Sequence, residues 1–203
     1  MKGLLCSGGV ESAYLLQTLD GRVQPVYVSY GFPWEGRERR AAREHAESVE
    51  NAEPLVVIDV EHDDASRLRR DADADEKDFT YVHGRSSSLL TNAAVELSAV
   101  GVTDIYEGTL ATGDDRFPDS SRDFYDAIER ALSVGLDADM EVHTPLYGKT
   151  KPEVIGALVE HDGAVGFDDT VSCVVPREDD TQCGDCYKCN ERREAREKAE
   201  EYL

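Results

Sequence analysis

Four cysteines near the C-terminus, Cys173, Cys183, Cys186 and Cys189, are spaced C-x9-C-x2-C-x2-C. The two-residue gaps let neighbouring sulfurs turn back onto one ion and the longer loop brings in the fourth, so the set predicts tetrahedral zinc. With four cysteine ligands no position is left for water, and such a site holds structure instead of performing chemistry. The same residues could form two disulfides. The sequence opens on a strand-sized run and not on a charged leader, which makes a cytoplasmic, reducing setting the expectation and favours zinc. At the other end stands Ser7-Gly8-Gly9-Val10-Glu11-Ser12. A loop of small residues between a strand and a helix turns several backbone N–H groups onto an anion, and the positive helix end favours phosphate. The loop lacks the lysine of a Walker sequence, as does Gly108 to Gly113, and it is not G-x-G-x-x-G. Taken alone it could also be an ordinary strand-to-helix turn.

The elements that must position these residues alternate. Strands are expected over Lys2 to Cys6, Val23 to Ser29, Leu55 to Val60, Thr103 to Glu107 and Val142 to Leu146. Helices are expected over Glu11 to Leu19, Gly36 to Asn51 and Arg85 to Ala99, from Ser120 to about Ser133, from Thr150 to about His161, and from Asn190 onward. Ser120-x-x-Asp123 and Thr150-x-x-Glu153 read as capping boxes, the second with Pro152 in the first turn. The acidic stretch Asp71 to Asp78 reads as an exposed loop. Strand–helix alternation of this kind predicts an α/β fold with a doubly wound, mostly parallel sheet, which binds ligands at the carboxyl ends of its strands. Residues 1–165 are expected to form the α/β part, and 166–203 a zinc-binding segment and closing helix packed as part of one domain.

Lys+Arg 22 against Asp+Glu 43 gives a net charge of −21, and only six of the basic residues are lysines. That balance repels nucleic acid across most of the surface and excludes general nucleic-acid binding. An acidic, lysine-poor surface suits a salt-rich, halophilic interior, where screening suppresses self-repulsion. No apolar run approaches the length of a membrane span.

The loop resembles the SGGxDS pyrophosphate loop of the N-type ATP pyrophosphatases, within the Rossmann-like adenine nucleotide α-hydrolase-like superfamily. Together with Cys173 and Cys183-Gly184-Asp185-Cys186-Tyr187-Lys188-Cys189 it resembles the QueC family of 7-cyano-7-deazaguanine synthases. Tyr81-Val82-His83-Gly84-Arg85-Ser86 is similar to that family's YVPGRN segment, and Phe117-Pro118-Asp119-Ser120-Ser121-Arg122-Asp123-Phe124 to its YPDCR-x-x-F segment. Thr144-Pro145-Leu146, followed by Lys149-Thr150-Lys151, fits its TPL segment and lysine-bearing helix start. The matches span nearly the whole chain in order.

The resemblance implies an ATP-dependent ligase that converts 7-carboxy-7-deazaguanine and ammonia to 7-cyano-7-deazaguanine by way of an amide, in queuosine or archaeosine biosynthesis. ATP would activate the carboxylate as an acyl-adenylate, ammonia would displace AMP, and a second activation would remove the amide oxygen. Magnesium would neutralise the phosphates, and the protein would be a homodimer. Carried over residue by residue, Ser7, Gly8, Gly9, Val10, Glu11 and Ser12 serve the pyrophosphate and its metal. Arg85 is a candidate for phosphate or adenylate contact, or is a surface arginine at a helix start. Asp119 and Arg122 recognise the purine-like ring and the carboxylate, or order the turn and cap the helix. Lys149 and Lys151 contact anionic ligand groups, or mark a solvated helix entry. Cys6 reads as a core residue, and His45, His62, His143 and His161 as structural or exposed. Tyr30 and Trp34 either border the nucleotide pocket or pack in the core.

Four positions depart from the family pattern: Glu11 for aspartate, His83 for proline, Ser86 for asparagine and Ser120 for cysteine. They leave open a QueC-like paralogue that adenylates another carboxylate or a protein end. Two other classes compete. One is an ATP-dependent tRNA-thiolating enzyme, which needs a basic surface that is not apparent; the other is a nucleotide-binding module without turnover.

Overall fold

A computed structural model describes residues 1–61, 82, 84–110, 117–175, 177, 179 and 181–202. The Asp71 to Asp78 stretch, His62, Tyr81, His83 and Gly113 lie outside the described residues. Five strands, β1 (Lys2–Leu5), β2 (Val23–Ser29), β3 (Val56–Asp59), β4 (Asp104–Tyr106) and β5 (Glu141–His143), form one sheet in the order β3-β2-β1-β4-β5. Every pairing is parallel. The helices are α1 (Val10–Thr18), α2 (Glu35–Ser48), α3 (Arg85–Ser98), α4 (Arg122–Leu136), α5 (Lys151–His161) and α6 (Tyr187–Ala199). None of the described helices is long and apolar enough to cross a membrane.

A parallel sheet is covered on both faces, and period-two alternation divides its side chains between two cores. Leu5, Val26, Val28 and Ile105 pack with Leu90 and Leu97 of α3 and Tyr125 and Leu132 of α4. Leu4 and Val23 pack on the other face with Leu16 of α1, Ile155 and Leu158 of α5, and Ala195 and Ala199 of α6. Tyr27 and Cys6 meet Ala42 of α2. The chain leaves β1 in one direction to β2 and returns on its other side as β4, so the switch point of the winding lies beside β1.

Most expected elements form within a few residues of their expected ends. The Thr150 capping box is present in full: Glu153 N–H donates to Thr150 Oγ1 at 3.4 Å, and Thr150 N–H donates to Glu153 Oε2 at 2.6 Å. The box at Ser120 is not formed. Pro118–Ser120 makes a short 3-10 turn that uses the Ser120 hydroxyl on Phe117 O, and Ser121 caps α4 by accepting from Phe124 N–H at 3.2 Å. β5 ends at His143 because Thr144-Pro145-Leu146 turns away toward α5, and α6 starts at Tyr187, three residues early, with Cys186 in extended backbone at its N-cap position.

Candidate active site

The glycine loop sits at the carboxyl end of β1. Gly8 holds φ +74°, and a methyl group there would stand 2.8 Å from Ala41 Cβ and from Glu38 O. Only glycine combines that backbone with so close an approach to α2. Gly9 begins α1 in extended conformation with no side-chain cap, which leaves the first N–H groups of α1 for an anion. Gly9 N–H reaches Ser7 Oγ at 3.4 Å, and Ser12 Oγ donates to Gly9 O at 3.1 Å. Cys6, directly before the loop, is buried, and burial pushes its thiol up to about 11, so it stays a core thiol and not a nucleophile.

Two connected spaces open over this loop. A cavity of about 260 Å³ lies between β2, β1 and β4, with Glu38, Arg85 and Glu107 in its wall. A wider cleft of about 680 Å³ continues from it past Ser7, Gly9 and Glu11 to Lys149, Lys151 and Lys188. The structure thus brings Ser7, Gly9, Glu11, Arg85, Lys149 and Lys151 around one space. Ser12, largely buried, lines the cavity as well, whereas Val10 is buried in the core beneath the loop.

Lys151 is the best-anchored of the cleft's lysines. Its Nζ lies 3.3 Å from Glu11 Oε1 and 3.9 Å from Glu191 Oε2, and Lys188 Nζ lies 3.0 Å from the same Glu191 oxygen. Burial works against the Lys151 ammonium, but the Glu11 and Glu191 carboxylates outweigh it and hold its pKa above the ordinary lysine value. The loop's carboxylate is therefore already partnered by a fixed cation from α5. Sequence reading placed Lys149 and Lys151 together at a helix entry; only folding separates the anchored one.

Asp119 and Arg122 are placed differently from the cleft lysines. Asp119 Oδ2 accepts from Ser86 N–H at 3.1 Å, so it caps the first turn of α3 and fixes the approach of Arg85. Arg122 stacks over the Tyr147 ring at 3.7 Å and donates to Thr144 Oγ1 at 3.2 Å. It is not among the residues lining the cavity or the cleft. The motif it was matched to puts arginine three residues before phenylalanine, whereas Arg122 stands two before Phe124 and Ser121 fills the motif's position. Trp34 lines the cleft and stacks on Phe32 at 4.7 Å, while Tyr30 packs in the core.

Two carboxyl–phenol pairs in the cavity wall were not singled out from the sequence. Tyr27 Oη donates to Glu38 Oε2 at 2.9 Å, and Tyr125 Oη donates to Glu107 Oε2 at 2.9 Å. Burial raises the Glu38 pKa against the pull of Arg85 and of the Tyr27 hydroxyl. Burial pushes Glu107 up to about 7; the Tyr125 hydroxyl and Arg85 pull it down, and Asp119 pushes it further up. Their partners lie 11 and 18 residues away in sequence, beyond any local signal.

The four cysteines converge. Cys183 Sγ lies 3.8 Å from Cys189 Sγ, Cys186 Sγ lies 4.0 Å from Cys173 Sγ, and all four sulfurs fall within 4.8 Å of one another. Zinc–sulfur bonds of about 2.3 Å set the edge of a regular tetrahedron at about 3.8 Å, so the cluster fits one zinc ion. Cys183 N–H donates to Cys173 Sγ at 3.3 Å and Cys186 N–H to Cys183 Sγ at 3.2 Å, bonds that favour thiolates. The segment is tied to the loop, since Val171 N–H donates to Gly8 O at 2.9 Å. Asp104, Glu141 and His143 also bring three donor atoms within 4.8 Å at the sheet edge, where His143 Nε2 is 3.0 Å from Asp104 Oδ1.

Known proteins agree with this arrangement. The family described as "Queuosine biosynthesis protein QueC" matches residues 4–200. A 7-cyano-7-deazaguanine synthase of Methanopyrus kandleri is 34% identical over 97% of this chain and 93% of its own. One from Methanospirillum hungatei is 31% identical over 94% and 92%, and one from Rickettsia akari 26% identical over 95% and 92%. A match over almost every residue, with the glycine loop and the cysteine cluster both in place, means that the chain belongs to the QueC family.

Proposed function

We propose that the chain is an ATP-dependent carbon–nitrogen ligase that converts 7-carboxy-7-deazaguanine and ammonia to 7-cyano-7-deazaguanine, in 7-deazaguanine biosynthesis. The observation that carries this reading is the joining of an anion-binding glycine loop, a lysine-lined cleft and a carboxylate-lined cavity in one continuous space. Polyphosphate belongs over the loop, where the N–H groups of α1 and the Lys149, Lys151 and Lys188 ammonium groups gather charge. Glu11 would hold magnesium beside the pyrophosphate, and the ion supplies charge neutralisation there. Arg85, aimed by Asp119, faces both spaces and suits the anionic oxygens of an acyl-adenylate. The cysteine cluster fits a structural zinc and a reducing, cytoplasmic setting. The net charge of −21 supports a halophilic source and small-molecule substrates over nucleic acid. The resemblance supports a homodimer.

The deciding experiment incubates zinc-loaded protein in high salt with ATP, magnesium, ammonium and 7-carboxy-7-deazaguanine, with mass spectrometry of the products. Nitrile appearing with AMP is the expected result. ATP turnover without nitrile overturns the substrate assignment in favour of another acceptor, and binding without turnover reduces the chain to a nucleotide-binding module.

A further inference from the structure

The loop and the lysines account for ATP, but they leave the second reactant without a site. Near neutral pH the nitrogen donor in water is overwhelmingly ammonium, which has no lone pair to attack with. A ligase using it needs a place that attracts a small cation and a group that removes its proton beside the activated carboxylate. The 260 Å³ cavity has that character. Glu107 and Glu38 line it against the guanidinium of Arg85, and Glu11, whose charge Lys151 partners, stands at its rim toward the loop. Glu107 follows β4 directly and takes part in the sheet's hydrogen bonding through its N–H to His143 O at 2.9 Å, so its backbone is fixed. The next residue, Gly108, lies so close to the first turn of α1 that a methyl group on it would meet Glu11 Cβ at 2.8 Å. The end of β4 therefore abuts the pyrophosphate loop with no side chain between.

Resting on the synthase reading above, we propose that Glu107 is the general base of the amidation step, taking a proton from ammonium held in this cavity, with Glu38 as the second carboxyl group attracting the cation. In that step ammonium gives one proton to the Glu107 carboxylate. The resulting ammonia forms a C–N bond to the carbonyl carbon of the acyl-adenylate, the C–O bond to the AMP phosphate breaks, and AMP leaves with that electron pair. The second proton, lost from the attacking nitrogen as the amide forms, passes to solvent. Glu107 returns its own proton to water before the next cycle. No oxidant or reductant enters.

The groups that face Glu107 are Tyr125 from α4, Asp119 from the 3-10 turn, Arg85 from α3, and Glu38 and Tyr27 across the cavity. Burial is the largest influence, and the carboxyl titrates at about 7, where a general base is most effective.

The test separates the two half-reactions. Exchange of labelled pyrophosphate into ATP, dependent on 7-carboxy-7-deazaguanine and run without ammonium, reads adenylation alone; amide formation from ammonium reads the second step. Glu107→Gln should leave exchange within about threefold and lower amide formation at pH 7 by about 100-fold, the scale of general base catalysis. The wild-type amidation rate should level off above pH 7, whereas the variant's should keep rising with pH as free ammonia replaces ammonium. Tyr125→Phe, which removes a hydrogen bond that favours ionised Glu107, should stay active and move the wild-type limb to higher pH. Equal loss of exchange and amidation in a folded Glu107→Gln variant, a rise confined to KM for the deazaguanine, or an unchanged pH profile would each overturn the assignment. A wild type that shows no exchange at all refutes the synthase reading instead, before Glu107 is in question.

Discussion

Replacing Glu107 by glutamine should stabilise the fold, and only at the upper end of the pH range. Burial raises this carboxyl from an ordinary 4.5 to about 7. Between those values the folded protein holds a proton that the unfolded chain has released, so folding weakens as pH rises through the window. At roughly 1.4 kcal/mol for each tenfold step in acidity, the penalty approaches about 3 kcal/mol above pH 7. Glu107 is half-buried and faces a cavity, and water there should trim the measured figure to about 2 kcal/mol. Glutamine removes the titration while its amide oxygen still accepts from Tyr125 Oη. Urea unfolding of wild type and Glu107→Gln, at pH 4.5, 6 and 8 in one fixed concentration of potassium chloride, reads the difference. Stability curves that coincide at pH 4.5 and diverge toward pH 8, with glutamine the more stable, are expected. Curves that run parallel across the range would show that burial does not perturb this carboxyl, and the physical support for its role as a base would fall with it.

Native protein should carry one zinc ion per chain by elemental mass spectrometry, and Cys186→Ser should lose the ion and several kcal/mol of stability, on the scale that structural zinc contributes; a metal-free native protein with two disulfides would refute the site. Gly8→Ala forces a side chain onto a left-handed backbone and into α2, at a cost of about 2 to 4 kcal/mol for strain and overpacking together. Thermal melting and nucleotide titration should both register it. Lys151→Met should raise KM for ATP at least tenfold, since it leaves Glu11 and Glu191 without their shared cation. Arg122→Ala should cost about 0.5 to 1 kcal/mol through the lost stacking on Tyr147 and keep kcat within twofold; abolished turnover in a folded protein would instead place Arg122 in the chemistry.

The alternation of strands and helices was legible because each β-branched run and each amphipathic face carries its own period. The Thr150 box and the cysteine spacing were legible for a related reason: both are local, with donors and acceptors a few residues apart. At Ser120 the local reading failed. Two serines in succession offer the same cap, and the choice fell to Ser121 because the preceding proline starts a 3-10 turn that engages Ser120. Glu107 and Glu38 could not be found this way. In sequence they are two acids among 43, and what distinguishes them is the packing of α3 and α4 on one face and α2 on the other. Arg122 shows the converse, a residue whose neighbours match a motif while its own position is one place out of register.

The C-terminal segment looks peripheral in sequence and is not peripheral in space. Helix α6, YKCNERREAREKA, offers little beyond Ala195 and Ala199 to an apolar core, and a polar helix of 13 residues is marginal without tertiary support. Its first turn is held by Cys186 and Cys189, and its middle by buried Arg192, which donates to Thr170 Oγ1 and Phe167 O at 2.6 Å each. From the start of α6 Lys188 and Glu191 reach into the cleft, where Glu191 shares Lys151 with Glu11 of the glycine loop. The segment just before Cys173 is bonded to the same loop through Val171 and Gly8. A zinc ion held by these four sulfurs would have no coordination position left for substrate, but it would fix the helix that carries one wall of the cleft. Any part it played in the reaction would then be one of position, transmitted through Glu191 and Lys151 to the carboxylate of the loop.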